Sequence, residues 1–114
     1  MKLRRGEIWI ADLPEPIGSE PGFRRPFLIV QSNQFNETRL NTVIVIAFTT
    51  NLKLADADGN MLLLAEDTGL NKDSVLNFTQ LVSVDKLRLV KHVGKLSPEI
   101  MEKVNESLRL ILSL

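Results

Sequence analysis

The sequence predicts a mainly β domain, a small barrel-like sheet of antiparallel strands that ends in one helix. Short apolar and β-branched segments, separated by turn-forming residues, recur along most of the chain. The apolar spacing changes to that of a helix only after Ser97. At 114 residues, without internal repeats or linkers, we expect residues 1–114 to form a single domain.

The first two predicted strands flank a loop rich in proline and glycine. Residues 7–12 alternate imperfectly between apolar and polar side chains, which indicates a strand. Residues 13–24 contain three prolines and two glycines, which is typical of a long loop. Pro26 then opens the apolar run 27–31, which predicts a strand buried on both faces.

The middle of the chain carries further short strands. Residues 42–48 form the clearest one, because five β-branched residues, at positions 42–46, follow one another there. A turn at residues 55–60 precedes the short apolar run 61–64. Residues 74–78 and 81–84 predict two separate short strands.

The carboxyl end carries the signals of a helix. Ser97 is a good N-cap, Pro98 suits the first helical position, and Glu99 favours the positive end of the helix dipole. Apolar residues then recur at helical spacing, at Ile100, Val104, Leu108 and Ile111. We expect an amphipathic helix that packs on the sheet.

Composition excludes several classes of protein. Cysteine is absent, so disulfides and thiolate metal sites are excluded. Fourteen basic residues balance fourteen acidic ones, so a general positive field for nucleic acid is missing and any RNA contact must be local. The longest apolar run, residues 43–48, is too short to cross a bilayer, and the first residues lack a secretory pattern. We expect a cytoplasmic protein with no membrane partner.

Familiar catalytic and metal sites are also unsupported. The single histidine, His92, excludes a ribonuclease that uses two histidines, and no nucleophile-elbow pattern accompanies it. A structural role for His92 is favoured. Residues 56–60 resemble a calcium loop only superficially, because Gly59 comes two places too early. We therefore expect no metal site and no cofactor.

The loop at residues 18–26 is the most unusual stretch. Glycines and prolines shape it, and it carries side chains suited to holding a phosphodiester beside a stacked base: Ser19, Glu20, Phe23, Arg24 and Arg25. From these residues alone, a solvated surface loop remains an alternative.

The chain resembles the MazF/PemK toxin family in segments that follow one another along its whole length. The first loop, with the strand that follows it, is the specific part. The matching segments are residues 5–9, 18–20, 25–32, 43–49, 70–74, the segment around Gln80, and 96–99.

This resemblance implies a small SH3-like barrel, a homodimer and an endoribonuclease of a type II toxin–antitoxin pair. The family cuts single-stranded RNA, such as mRNA, at short sequences without a metal. A cognate antitoxin is the implied protein partner, and operator DNA is bound only together with it.

The resemblance also assigns roles to individual residues. Arg25 and Thr49 correspond to the catalytic pair, although Thr50 follows directly and the register between the two threonines stays open. The other implied RNA-binding residues are Ser19, Glu20, Phe23, Arg24, Thr50 and Gln80.

The simplest mechanism for these residues uses the 2′-hydroxyl of the RNA as nucleophile. In-line attack leaves a 2′,3′-cyclic phosphate and a 5′-hydroxyl. A planar guanidinium donates to two phosphate oxygens at once, which suits Arg25 to stabilising the transition state. Thr49 adds a hydroxyl hydrogen bond, and Glu20 is a candidate general base.

Two other functions remain open from sequence. A poison of DNA gyrase shares this architecture without cleaving RNA, and fold alone does not separate the two. An inactive regulatory member would bind only a partner. Arg25 together with Thr49 favours the enzyme.

Overall fold

Six strands form one curled antiparallel sheet, and the longest helix packs against it. The computed structural model describes residues 2–19 and 21–114. The strands are β1 (Glu7–Asp12), β2 (Arg24–Ile29), β3 (Thr42–Thr49), β4 (Met61–Leu63), β5 (Ser74–Asp85) and β6 (Leu89–Lys95), in the spatial order β4-β5-β3-β2-β1-β6. The helices are α1 (Asn33–Asn36), α2 (Ala65–Thr68) and α3 (Pro98–Leu112). The predicted fold class, a mainly β sheet with a carboxyl-terminal helix, is confirmed.

The bounds of β2 differ from the predicted 27–31. Pairing with β1 begins at Arg24, which lies opposite Asp12, so the strand starts before Pro26. It ends at Ile29 because the amides of Val30 and Gln31 both donate to the carbonyl of Ile44, which interrupts the regular ladder. The shift matters for function because it brings both arginines of the loop onto the strand.

The two strands predicted at 74–78 and 81–84 are wrong as separate elements, because β5 is continuous. Asn77 lies opposite Ala47, while Leu81 lies opposite the adjacent Ile46. Residues 78–80 are therefore bulged out of the ladder with β3. The polar residues of this bulge have the sequence pattern of a turn between two strands. The strand nevertheless pairs with β3 both before and after the bulge.

Both faces of the sheet bury apolar side chains, in two clusters. One cluster joins β1, β2 and β3 through Ala11, Phe27 and Val45. The other includes Phe48 and Phe78 together with Val104 of α3. Val104 is fully buried, so the predicted packing of the helix on the sheet is confirmed.

Local signals of the helix also agree with the structure. Ser97 Oγ accepts a hydrogen bond from the amide of Ile100 at 3.2 Å, and Pro98 occupies the first turn. The four-residue helices α1 and α2 were not predicted because they are too short for a periodic pattern. Over residues 2–19 and 21–114, no helix has the length and apolar composition needed to cross a membrane.

Arg5 ties the end of β2 to α3. Its Nε donates to the carbonyl of Val30 at 2.8 Å, and its Nη2 donates to Oδ1 of Asn105 at 2.7 Å. Burial lowers the pKa of the Arg5 guanidinium. Since an arginine stays charged in proteins, both hydrogen bonds retain a charged donor.

Candidate active site

A cleft of about 370 Å³ opens where β2 begins and β3 ends. It brings together five of the residues predicted from sequence, namely Phe23, Arg24, Arg25, Thr49 and Thr50. The other described residues that line it are Gly22, Pro26, Phe48 and Ser74.

Strand register explains why Arg25 and Thr49 meet. Phe27 lies opposite Ala47 in the antiparallel pair of β2 and β3. The ladder ends at that pair, and Arg25 and Thr49 lie two residues beyond it, one on each strand, where both line the cleft. Since side chains two residues apart on a strand point to the same face, Arg25 shares the face of Phe27 and Thr49 shares the face of Ala47. The two residues, 24 positions apart in sequence, therefore become neighbours in the cleft.

The cleft is electropositive. Arg25 is half-buried and Arg24 is exposed, and both line the cleft. Within residues 2–19 and 21–114, neither arginine takes part in an ion pair, and no carboxylate lines the cleft. A chain with no net charge thus concentrates two cations at one point, which attracts a phosphodiester.

Phe23 is held in a strained conformation at the mouth of the cleft. Its φ of 57° lies in the left-handed region, which costs a bulky residue roughly 1–2 kcal/mol. Two backbone hydrogen bonds offset that cost, from Leu13 N to Phe23 O at 2.8 Å and from Phe23 N to Pro14 O at 3.3 Å. The aromatic ring is 60% exposed beside the arginines, where it offers a stacking surface.

The two threonines at the end of β3 differ in their surroundings. Thr49 is half-buried, and its Oγ1 accepts a hydrogen bond from the amide of Asn51 at 3.2 Å. Thr50 is exposed. Geometry therefore favours Thr49 as the ordered hydroxyl of the cleft.

Ser19 and Gln80 lie in a neighbouring cleft instead of the first one. Gln80 is part of the β5 bulge, and its Nε2 donates to the carbonyl of Ser19 at 2.6 Å. This hydrogen bond joins the predicted loop to the bulge. Glu20, the remaining predicted residue, lies outside the described residues.

Sequence reasoning missed Ser74 in the first cleft. Ser74 is buried, and its Oγ donates to the carbonyl of Lys72 at 3.1 Å. It reaches the cleft because β5 pairs with β3, with Val75 opposite Thr49. An isolated serine at the start of a strand carries no sequence signal of such a position.

The second cleft contains further residues that the sequence did not single out: Asp58, Asn60, Asn77 and Thr79. Residues 56–60 were interpreted only as a turn. The one available signal was the interruption of the apolar strand by polar residues at 77, 79 and 80.

His92 does not line either cleft. It lies on β6 opposite Trp9 of β1, and the two rings stack with centroids 5.1 Å apart and planes 16° apart. Its Nε2 is 3.0 Å from the carbonyl of Gly94 and 3.7 Å from Glu7 Oε2. In the part of the chain that the structure describes, no group of three or more acidic or histidine side chains is arranged to hold a metal.

Comparison with known proteins gives consistent results. The PemK-like, MazF-like toxin family of type II toxin–antitoxin systems matches residues 4–112. Endoribonuclease MazF6 of Mycobacterium tuberculosis is 43% identical over 114 residues, which is 100% of both chains. Endoribonuclease EndoA of Bacillus subtilis is 35% identical over 100% of this chain and 97% of that protein.

Solved structures agree with the sequence relatives. A mycobacterial endoribonuclease in complex with its cognate antitoxin superimposes with a TM-score of 0.74 at 25% identity, over 99% of this chain and 95% of that one. MazF from Deinococcus radiodurans has the same fold, with a TM-score of 0.81 at 18% identity over 100% of this chain and 99% of that one.

Proposed function

The chain belongs to the PemK-like, MazF-like toxin family of type II toxin–antitoxin systems, and from this membership we propose that it is a cytoplasmic endoribonuclease toxin that cleaves single-stranded RNA, mRNA in particular. The observation that supports the proposal is the cleft that Arg25 and Thr49 both line. Its relatives at 43% and 35% identity are named endoribonucleases.

The reaction proposed is in-line attack by the 2′-hydroxyl on the adjacent phosphorus. The O–P bond to the 5′-oxygen of the next nucleotide breaks, leaving a 2′,3′-cyclic phosphate and a 5′-hydroxyl. This mechanism requires no metal, because the guanidinium of Arg25 stabilises the negative charge that develops on the phosphoryl oxygens. Two parallel N–H donors match two of those oxygens.

Thr49 supplies a further hydrogen bond to the same phosphate. Phe23 stacks on a base next to the cut, and Arg24 adds attraction for the neighbouring phosphate. The exposed Thr50 contacts the RNA backbone.

Proton transfer requires a group other than Arg25, because a guanidinium does not deprotonate at ordinary pH. We propose Glu20 as the base that accepts the 2′-hydroxyl proton, since it is the carboxylate within residues 18–26. Water delivers a proton to the leaving 5′-oxygen, and Glu20 then returns its proton to the solvent, which balances the reaction. Replacing Glu20 by Gln tests this role, because loss of the base lowers kcat.

Two protein partners are proposed. A cognate antitoxin inhibits the enzyme, as supported by the relative solved in complex with its antitoxin, and operator DNA is bound only by that complex. Co-expression with the cognate antitoxin is expected to suppress cleavage. A second copy of the chain forms a homodimer, supported by an apolar groove formed by α1, β3 and α3.

The decisive test is cleavage of a long single-stranded RNA in excess chelator. Wild-type protein is expected to give fragments with 5′-hydroxyl ends. Arg25→Ala should lower the rate by about a thousandfold or more, because it removes the main charge that stabilises the transition state. The far-ultraviolet spectrum should stay unchanged, since Arg25 lies at the beginning of β2 and is only half-buried.

Arg39→Ala is the matched control, because Arg39 is exposed and lines neither cleft. It should cut at the wild-type rate. Full activity of Arg25→Ala, or strict dependence on added divalent metal, would contradict the assignment. Folded wild-type protein that cuts no RNA would favour a binding toxin.

A further inference from the structure

The second cleft lies further along β5 from the proposed active site, because Ser74 of β5 lines the first cleft and Asn77, Thr79 and Gln80 of β5 line the second. It has a volume of about 530 Å³ and is lined by Ser19, Leu54, Ala57, Asp58, Asn60, Asn77, Thr79 and Gln80. Thr49 lies opposite Val75, two residues along β5 from Asn77, which lies opposite Ala47. Two strand residues span roughly 7 Å, so a base attached next to the scissile phosphate reaches this cleft.

Asn60 organises the cleft, because both polar atoms of its side chain have hydrogen-bond partners. Its Oδ1 accepts from the amide of Phe78 at 3.0 Å, which fixes the orientation of its side chain. Its Nδ2 therefore donates, to the carbonyl of Leu54 at 3.0 Å and to Oδ1 of Asn77 at 3.2 Å. A backbone amide thus sets the orientation of two side-chain amides in succession.

Fixed orientations leave a defined set of groups facing the cleft. The Oδ1 of Asn77 is engaged by Asn60, so its Nδ2 remains as a donor. The Nε2 of Gln80 is engaged by Ser19, so its Oε1 remains as an acceptor. Asp58 adds an exposed carboxylate that makes no ion pair within residues 2–19 and 21–114. Asp58 is therefore the one charged side chain among the described residues that line this cleft.

We propose that this cleft is a nucleobase subsite that selects a base with an exocyclic amino group and rejects uracil at one position beside the cut. Adenine, cytosine and guanine each present an amino donor next to an acceptor, which suits the carboxylate of Asp58 and the amide of Asn77. Uracil carries a carbonyl oxygen at the position where cytosine carries its amino group, and a carboxylate facing that position repels the oxygen. The inference rests on the proposed ribonuclease function and extends it to sequence choice.

The test is to sequence the cut sites that the full-length protein makes in a random-sequence single-stranded RNA. Uracil is expected to be depleted by roughly tenfold at one position flanking the cut. Asp58→Asn should largely abolish that depletion, because an amide also presents a donor to the carbonyls of uracil. Asp56→Asn is the matched control, since Asp56 is exposed but does not line the cleft.

Base analogues make the test specific to the amino group. An oligonucleotide carrying the preferred base is compared with one lacking only its exocyclic amine, such as inosine for guanine or purine for adenine. Removal of the amino group should lower kcat/KM by about tenfold for the wild-type protein. For Asp58→Asn, the same change in the base should lower kcat/KM by less than about twofold.

Each contrary outcome separates the two proposals. Uracil depletion that persists in Asp58→Asn, or that is lost equally in Asp56→Asn, overturns the subsite. RNA cleavage without uracil depletion at any flanking position overturns the subsite and leaves the ribonuclease intact. Absence of any cleavage by wild-type protein overturns the ribonuclease itself.

Discussion

The hydroxyl of Thr49 has a defined direction because the backbone holds it. The amide of Asn51 donates to Thr49 Oγ1 at 3.2 Å, which occupies one lone pair. A hydroxyl has one proton to donate and two lone pairs, so the proton of Thr49 remains available for a phosphate oxygen. Thr50 is exposed, and among the described residues no comparable hydrogen bond fixes its hydroxyl.

We therefore predict that Thr49→Val lowers the single-turnover rate of RNA cleavage by about a hundredfold, as expected for the loss of one donor to a transition-state oxyanion. Thr49→Ser, which keeps the hydroxyl, should retain most of the activity. With RNA bound at saturation, Thr50→Val should cut close to the wild-type rate, because a contact to the RNA backbone affects binding and not the transition state. A larger loss in Thr50→Val than in Thr49→Val would assign the catalytic role to Thr50.

Only part of the site was accessible from sequence. Arg25 and Thr49 were assigned through family resemblance, and the register of β2 against β3 supplies the physical reason that they meet. Asp58 and Asn77 were missed, because they come together through the pairing of β5 with β3 and the fold of a distant turn. Long-range pairing of this kind leaves no local pattern.

Among the elements, β5 and α3 show where sequence patterns succeed and fail. The helix was predicted because its cap, its first-turn proline and its apolar period are all local. The continuity of β5 was not predicted, because residues 78–80 combine a buried Phe78 with polar neighbours. Only the ladder with β3 reveals that the chain continues as one strand through a bulge.

The contact between α2 and β6 depends on Gly94. A Cβ at this position would lie 2.2 Å from the backbone carbonyl of Thr68, which is too close for either backbone to tolerate. We predict that Gly94→Ala lowers the free energy of unfolding by about 3 kcal/mol, measured by urea denaturation.

Gly18→Ala provides the comparison for this prediction. Gly18 has a φ of +60°, but beyond its chain neighbours no atom of residues 2–19 and 21–114 lies within 4 Å of the position that an alanine methyl group would take, so backbone strain is the expected cost. A loss of about 1 kcal/mol is expected there. Equal stability of Gly94→Ala and wild type would show that α2 and β6 move apart at little cost.

At the scale of the whole molecule, charge and apolar surface are both unevenly distributed. The chain has no net charge, yet two arginines line the active cleft without a carboxylate among its described residues. Apolar side chains line a different surface, a groove of about 470 Å³. It includes Phe35, Leu40, Ile44 and Leu112, which are 51%, 46%, 41% and 46% exposed.

A contiguous apolar groove of this kind marks an interaction surface, and in this family we assign it to a second copy of the chain. Burying it against a partner removes the apolar side chains from water, which drives association. The groove joins the end of α3 to β3, so one substitution at its centre is enough to test the assignment.

We predict that the wild-type protein sediments at twice its chain mass of 12.8 kDa, and that Ile44→Lys sediments as a monomer. A lysine ammonium at the centre of the interface would be desolvated without a partner, which opposes association. Leu87→Lys is the control, because Leu87 is 89% exposed on the turn Lys86–Arg88 and does not line the groove. Circular dichroism should show that both variants are folded. If Ile44→Lys remains a dimer, the interface lies on another face of the molecule.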